Sequence, residues 1–323
     1  DYRYSGDVIN YLPFGFLQDL GSLGKPNEAT IYGYGFNNVS YLINGNLINN
    51  RTQNSFNLYN LQLESIDSVE VYTLPRGFLG GSFLNPVTIN FITKNNYPAK
   101  PYTKIRFSQA SNEEGIIDFL FHTYINKKTD IKINISNYSM SDGFYNTEYG
   151  NWQAFVSAKY IMSNIVNFMF DYNYSKAQTR LNGGVDLESL ESNYTSELVK
   201  TNMFDQLIAI VNYEDRYQKE MGHRLNFKVL ATVLKSLPTT LDFYYQNNTQ
   251  SFHDKVNDYN NYQKIDTTVQ LNKYNLVGIN INQKFNLPYF DSDFGFNMER
   301  ISFNSDILSN SRKINSASFW GIN

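Results

Sequence analysis

The sequence predicts a mainly β chain: a transmembrane antiparallel β-barrel, partial at about nine or ten strands, preceded by a compact α+β domain. Three observations carry this. From Pro101 onward, segments of about ten residues alternate strictly between apolar and polar side chains, the pattern of strands with lipid on one face and a wet lumen on the other. Short and long connections follow each other in turn between those segments. Before them, roughly the first hundred residues break the alternation with glycines, prolines and short mixed elements.

The alternation is explicit. Ile117, Phe119, Phe121 and Ile125 share one face, and Asp118, His122 and Asn126 the other. Ile131, Ile133 and Ile135 alternate with Lys132, Asn134 and Ser136. Val166, Phe168, Phe170, Tyr172 and Tyr174 alternate with Asn167, Asp171 and Asn173, and Leu225, Phe227, Val229, Ala231 and Val233 with Arg224, Asn226, Lys228 and Thr232. Strands are expected at 102–109, 116–125, 130–139, 151–162, 166–175, 222–234, 239–246, 268–285 and 294–303, with a tenth after Ile314. Tight turns fall at Asn126–Thr129, Ser163–Ile165 and Lys235–Pro238, and long loops at 140–150, 176–221 and 247–267. This parity assigns the turns to the periplasm and the loops to the cell surface. Gln206–Tyr213, inside the longest loop, reads as one further candidate strand. A closed barrel of about ten strands is too narrow to hold a folded domain, so the chain is expected to be a fragment of a wider barrel.

Composition narrows the function. The chain has 323 residues, a net charge of −3 and no basic cluster, which argues against a nucleic-acid surface. Absence of Cys removes disulfides, thiolate metal sites and Cys nucleophiles together. His122, His223 and His253 are scattered, so no metal site is expected. Apolar runs such as Leu207–Val211 and Val229–Leu234 fall far below the roughly 18 residues of a membrane helix. No G-x-S-x-G, H-E-x-x-H or nucleophile–His pattern occurs, so an enzyme and a cofactor are not expected.

The first 98 residues form the expected α+β domain. Asp7–Leu12 reads as a helical turn ended by Pro13, Phe14–Asp19 as extended, and Gly21–Pro26 as a loop whose Gly24-Lys25 lacks phosphate-loop spacing. Val39–Ile43 is a strand closed by the turn pair Asn44-Gly45, and Leu61–Ile66 a short helix. The stretch ESIDSVEVYTLPRGFLGGSFLNPVTINFITK (64–94) then gives two strands, from Val69 and Val71 and from Ile89 and Phe91, around the breakers Pro75, Gly77, Gly80, Gly81 and Pro86.

That stretch resembles the plug domain of TonB-dependent outer-membrane receptors, whose pattern runs I-E-R-V-E-V-L-R-G-P-A-S-A-L-Y-G-S-x-A-x-G-G-V-I-N-I-I-T-K. Residues 66–94 lie on it without a gap. Glu70 and Val71 match its E-V, Pro75 its Pro, Gly81-Ser82 its G-S, and Ile89-Asn90 with Ile92-Thr93-Lys94 its I-N-x-I-T-K. Upstream, Ile31-Tyr32-Gly33 stands where plugs read I-R-G, and Asn44-Gly45 where they read D-G; the later R-G falls on Thr73-Leu74 and the G-G on Pro86-Val87. The resemblance implies a plug at 1–98 and the N-terminal portion of a barrel at 99–323, in the outer membrane with its lipid as neighbour. It implies plug-motif roles for Gly33, Asn44, Gly45, Glu70, Pro75, Gly81, Ser82, Asn90, Thr93 and Lys94. It further implies import of a siderophore, cobalamin or saccharide, driven by TonB through a box upstream of Asp1. In the family, arginines of I-R-G and R-G tie plug to barrel carboxylates; Tyr32 and Thr73 lack that charge, so a passive channel or surface-binding protein is the alternative.

No residue can be assigned to the ligand from sequence alone. The loop acids Asp186, Glu188, Glu191, Glu197, Glu214 and Asp215 suit cation capture or plain solvation, and Phe144, Tyr145 and Tyr149 a ligand grip. Tyr102, Trp152, Tyr160, Tyr172, Tyr174, Tyr244 and Tyr245 suit anchors at the membrane interface.

Overall fold

The computed structural model describes residues 4–18, 27–35, 37–74, 76–79, 85–94, 100–110, 113–234, 237–258, 263–287, 290–306 and 311–322. A 3₁₀ turn at Ser5–Tyr11 leads into β1 (Gly15–Gln18), which pairs antiparallel with β2 (Glu28–Ile31). A four-stranded sheet follows, built from β3 (Val39–Ile43), β4 (Asn46–Leu47), β5 (Ile66–Tyr72) and β6 (Val87–Thr93) in the order β4-β3-β6-β5. β3 and β6 run parallel, so Val39, Tyr41 and Ile43 stand beside Val87, Ile89 and Phe91. Those residues join Ile9, Leu17, Ile31 and Leu58 in one buried cluster. The helix expected at Leu61–Ile66 is instead a pair of single 3₁₀ turns, Leu58–Asn60 and Leu63–Ser65. Segments this short cannot close an α-helical ladder of i to i−4 bonds.

The rest is one antiparallel meander: β7 (Tyr102–Gln109), β8 (Gly115–Asn126), β9 (Thr129–Met140), β10 (Tyr149–Ile161), β11 (Val166–Arg180), β12 (Tyr217–Leu234), β13 (Leu237–Asp258), β14 (Gln263–Leu287), β15 (Phe290–Ser305) and β16 (Arg312–Ile322), each paired with the next. Its two faces invert the order of a soluble protein. Ile105, Phe107, Ile117, Val277 and Met298 are half or more exposed, or close to it, on the outer face. Asp118, Asn134, Ser136, Asp242 and Glu299 are buried on the inner one, against the N-terminal unit. Lipid contact is the environment that stabilises such an outer face.

Two expectations need correction. The loop predicted at 247–267 is largely strand, because β13 runs on to Asp258 and β14 starts at Gln263. Residues such as Asn247, Asn248, Thr249, Gln250 and Ser251 are polar on both faces. Beyond the hydrocarbon both faces meet water, so the apolar phase disappears while ladder pairing with 268–275 continues. Within the predicted loop 176–221, β11 extends to Arg180 and β12 starts at Tyr217; between them lie α1 (Leu187–Asn193) and α2 (Ser196–Asn202). Gln206–Tyr213 adds no strand; its one ladder contact is the bridge of Val211 to Val185.

Candidate functional site

The site has two parts: a polar seam that ties the N-terminal unit to the sheet, and a cavity above it. Most described motif residues serve the unit itself. Asn44 and Gly45 take positive φ values of 51° and 84° between β3 and β4, the backbone of a two-residue hairpin turn that Asn-Gly adopts readily. The Gly45 N–H donates to Asn90 Oδ1 at 3.0 Å, and Asn90 Nδ2 to Glu70 Oε2 at 2.8 Å. Asn44 Oδ1 accepts from the Thr93 N–H at 3.0 Å. Asn44, Gly45, Glu70, Asn90 and Thr93 thus lock β3, β5 and β6 into one frame. Gly33 sits apart, at φ 80° in its own turn beside Tyr32. Lys94 donates its backbone N–H to the Ser65 carbonyl at 2.8 Å and offers its own carbonyl to Lys132 Nζ. Pro75, Gly81 and Ser82 lie outside the described residues.

Tyr32 is half exposed and packs its ring on Phe14, so it ties nothing to the sheet. The tie comes from Arg51, which sequence reasoning missed. Its Nη2 and Nε meet Glu299 Oε1 and Oε2 at 2.7 and 3.1 Å, a two-pronged pair with both side chains 1% exposed. Tyr244 also donates its hydroxyl to Glu299 Oε1, at 2.8 Å, and receives Asn297 Nδ2 at 2.7 Å. Tyr244, Gly278 and Glu299 form one row across β13, β14 and β15. A Cβ at 278 would overlap the Tyr244 ring, so this glycine is what lets the ring cross β14 to reach Glu299.

A second tie has the opposite polarity. Glu64 of the N-terminal unit meets Lys104 Nζ at 2.7 Å and Arg106 Nε at 3.6 Å, both from β7, with Lys94 Nζ at 3.9 Å. Burial raises the Glu64 carboxyl, but the Lys104 hydrogen bond and the three neighbouring cations outweigh it and leave it below the usual range. Single hydrogen bonds, three from amides and one from an ammonium group, fill the space between. Gln62 Nε2 reaches Ser136 Oγ at 3.0 Å, Gln153 Nε2 the Tyr59 carbonyl at 2.6 Å, Gln246 Nε2 the Leu47 carbonyl at 3.1 Å and Lys228 Nζ the Asn44 carbonyl at 2.6 Å. The only trace of the Arg51 tie in the sequence is that Glu299 falls on the polar phase of its strand, which fixes its face and not its partner.

Above the seam lies a cavity of about 800 Å³. One side is the N-terminal unit, from Asn50 to Ile66 together with Glu28, Ile43, Ile48 and Thr93; the other is β10 to β13 and Tyr274 of β14, with residues 181–184, Tyr213 and Arg216 of the long loop. Of the candidate ligand residues only Tyr149 lines it; Phe144 and Tyr145 do not. None of the six loop acids does either. Asp186 caps α1 through the Ser189 N–H, and Asp215 pairs with Lys255 at 2.8 Å, so these acids hold loop structure. Trp152 and Tyr160 are 56% and 45% exposed and stand outside, as anchors would, whereas Tyr102 shares the inner face of β7 with Lys104 and Arg106, and Tyr244 points inward to the Arg51 tie. Among the described residues no group of three or more His, Asp or Glu is placed to hold a metal.

The family described as TonB-dependent Receptor Plug Domain matches residues 4–84, the unit that carries these ties. The N-terminal unit is a TonB-dependent receptor plug. The whole chain has the fold of plugged receptors. It is similar to the unliganded ferric citrate transporter FecA, at 12% identity and TM-score 0.67 over 97% of this chain and 46% of that one. It is similar to the siderophore receptor PiuA of Acinetobacter baumannii, at 13% identity and TM-score 0.63 over 96% and 50%. It is also similar to the ferripyoverdine receptor of the outer membrane of Pseudomonas aeruginosa, at 10% identity and TM-score 0.64 over 95% and 42%. The chain therefore spans about half the length of these structures, and its ten strands have the fold of part of a plugged barrel. No curated protein matches the sequence. The plug family comprises receptors and transporters, not enzymes.

Proposed function

We propose that the chain is the plug (1–98) and the N-terminal barrel portion (99–323) of an outer-membrane receptor that imports a scarce small molecule, with TonB acting on the plug from the periplasm. The observation that carries this reading is the placement of the cavity. It lies between barrel strands and the plug, so a ligand held there touches the element on which TonB would act. The plug is held by two ion-pair ties and a set of single hydrogen bonds, contacts that a pull can break and that can re-form. Asn44, Gly45, Glu70, Asn90 and Thr93 are assigned to the frame that transmits the pull, and Gly33, Pro75, Gly81, Ser82 and Lys94 to plug-motif roles beside it. The passive reading rests on the cations missing at Tyr32 and Thr73; Arg51 supplies a buried cation elsewhere, which favours the coupled importer.

The test uses cells that carry the intact receptor in an outer membrane stripped of its own plugged receptors. Spent growth medium is supplied, and the compounds it loses are measured by mass spectrometry. Depletion of a compound that stops when the proton gradient is collapsed or TonB is deleted supports coupled import. Depletion that persists under both conditions overturns the coupling and leaves a passive channel.

A further inference from the structure

We propose, resting on the receptor reading above, that the cavity selects a neutral, polyhydroxylated ligand of the oligosaccharide class and not an anionic ferric chelate. The first support is charge. Among the described residues, the charged side chains lining the cavity are Arg180, Arg216 and Arg224 against Glu28, Asp142 and Glu220, three of each sign, for a formal sum of zero. Arg216 is moreover engaged by Asp254 at 2.7 Å and lies 3.2 Å over the Tyr213 ring. A cleft that concentrates anions needs an excess of one sign, and this one has none.

The second support is the amides. The lumen-facing positions 246, 248 and 250 of β13 read Gln, Asn, Gln, and Gln218 lines the same cavity from β12, opposite Phe252. Among the described residues, no hydrogen bond within the chain engages the side chains of Gln53 at the plug apex, Gln218 or Gln250. Gln153, 3% exposed on β10, donates to Tyr59 but leaves its Oε1 without a partner, and Asn248 Oδ1 is likewise unpartnered. An amide presents a donor and an acceptor side by side, and a sugar hydroxyl is both donor and acceptor. Free amides from the plug and two strands, converging on a space whose described lining carries no net charge, suit a ligand made of hydroxyls. A multiply charged chelate would leave these amides idle and find no net cation.

The experiment is calorimetric titration of the intact detergent-solubilised receptor with maltohexaose, cellohexaose and xylohexaose, and separately with ferric citrate and a ferric tris-catecholate, at low and high salt. At least one oligosaccharide is expected to bind with an affinity that salt leaves unchanged. Gln53→Leu and Gln250→Leu are each expected to weaken that binding about tenfold or more, and Arg180→Gln less than about twofold. Each variant is accepted only if it keeps the heat-modifiable mobility of a folded barrel. Binding of an iron chelate that falls with salt and with Arg180→Gln, without oligosaccharide binding, overturns the ligand class and leaves the receptor reading standing. Oligosaccharide binding unchanged in both Gln variants overturns the site. No binding by any of these probes overturns the ligand class, while the medium-depletion experiment decides the receptor reading on its own.

Discussion

Arg51 and Glu299 are a buried pair with no solvent to screen them, so the consequence of removing one partner is large and the consequence of replacing both is small. Arg51→Ala strands the Glu299 carboxylate inside the lumen and is expected to cost about 3–5 kcal/mol of plug docking. Arg51→Met with Glu299→Leu keeps the volume and removes both charges, and is expected to recover most of that loss. A fluorophore on Asn38→Cys, in a chain with no other Cys, reports the urea midpoint of plug release; equal losses in the single and double variants would show that the pair does not hold the plug. Glu64 gives a pH signature. Its folded pKa lies below its unfolded one, so its contribution is present above the unfolded carboxylate range, about 4.3, and is lost as pH falls through its own lower value. Plug release on acidification is therefore expected to show a component that Glu64→Gln removes, and an unchanged acid profile in that variant would exclude the tie.

At the scale of elements, the Tyr244–Gly278–Glu299 row shows how a strand residue serves a neighbour two strands away. Gly278→Ala places a methyl group where the Tyr244 ring crosses β14, so the hydroxyl is expected to leave Glu299. Losing a hydrogen bond to a charged group weakens docking by about 1.5–3 kcal/mol. In a Tyr244→Ala background the same glycine change is expected to add nothing, because its only target is gone; full additivity would place the effect elsewhere. The elements themselves were legible to different degrees. β8, β9 and the shared part of β11 and β12 lie where the alternation puts them, since lipid on one side imposes a strict phase. The outer ends of β13 and β14 were not legible, because polar residues on both faces carry no phase. The plug frame could be read from Asn44-Gly45, Glu70, Asn90 and Thr93, whose turn and strand chemistry is local. The Arg51 tie could not, since 248 residues separate its partners and nothing local couples them.

For the molecule as a whole, the polar plug on the inner face and the apolar outer face fix what is lipid, lumen and water, and the connections then fix which end faces out. β8–β9, β10–β11 and β12–β13 are joined tightly at one end, while β9–β10 and β11–β12 are joined at the other by residues 141–148 and 181–216. The cavity reaches this second end, where Leu181, Gly183, Tyr213 and Arg216 line it. A receptor that captures its ligand from outside must therefore turn α1 to the cell surface and the β8–β9 turn to the periplasm. Glu191, on α1, and Lys127, in the β8–β9 turn, are both exposed, and the chain offers no competing thiol. In intact cells carrying the full receptor, Glu191→Cys is expected to react with a membrane-impermeant maleimide, and Lys127→Cys only after the outer membrane is breached. Asn49→Cys, at a position with no exposure beneath the cavity, is expected to stay protected in both conditions until urea releases the plug. Labelling of Lys127→Cys alone in intact cells would invert the barrel and place the cavity on the periplasmic side, which no importer of external ligands can accommodate.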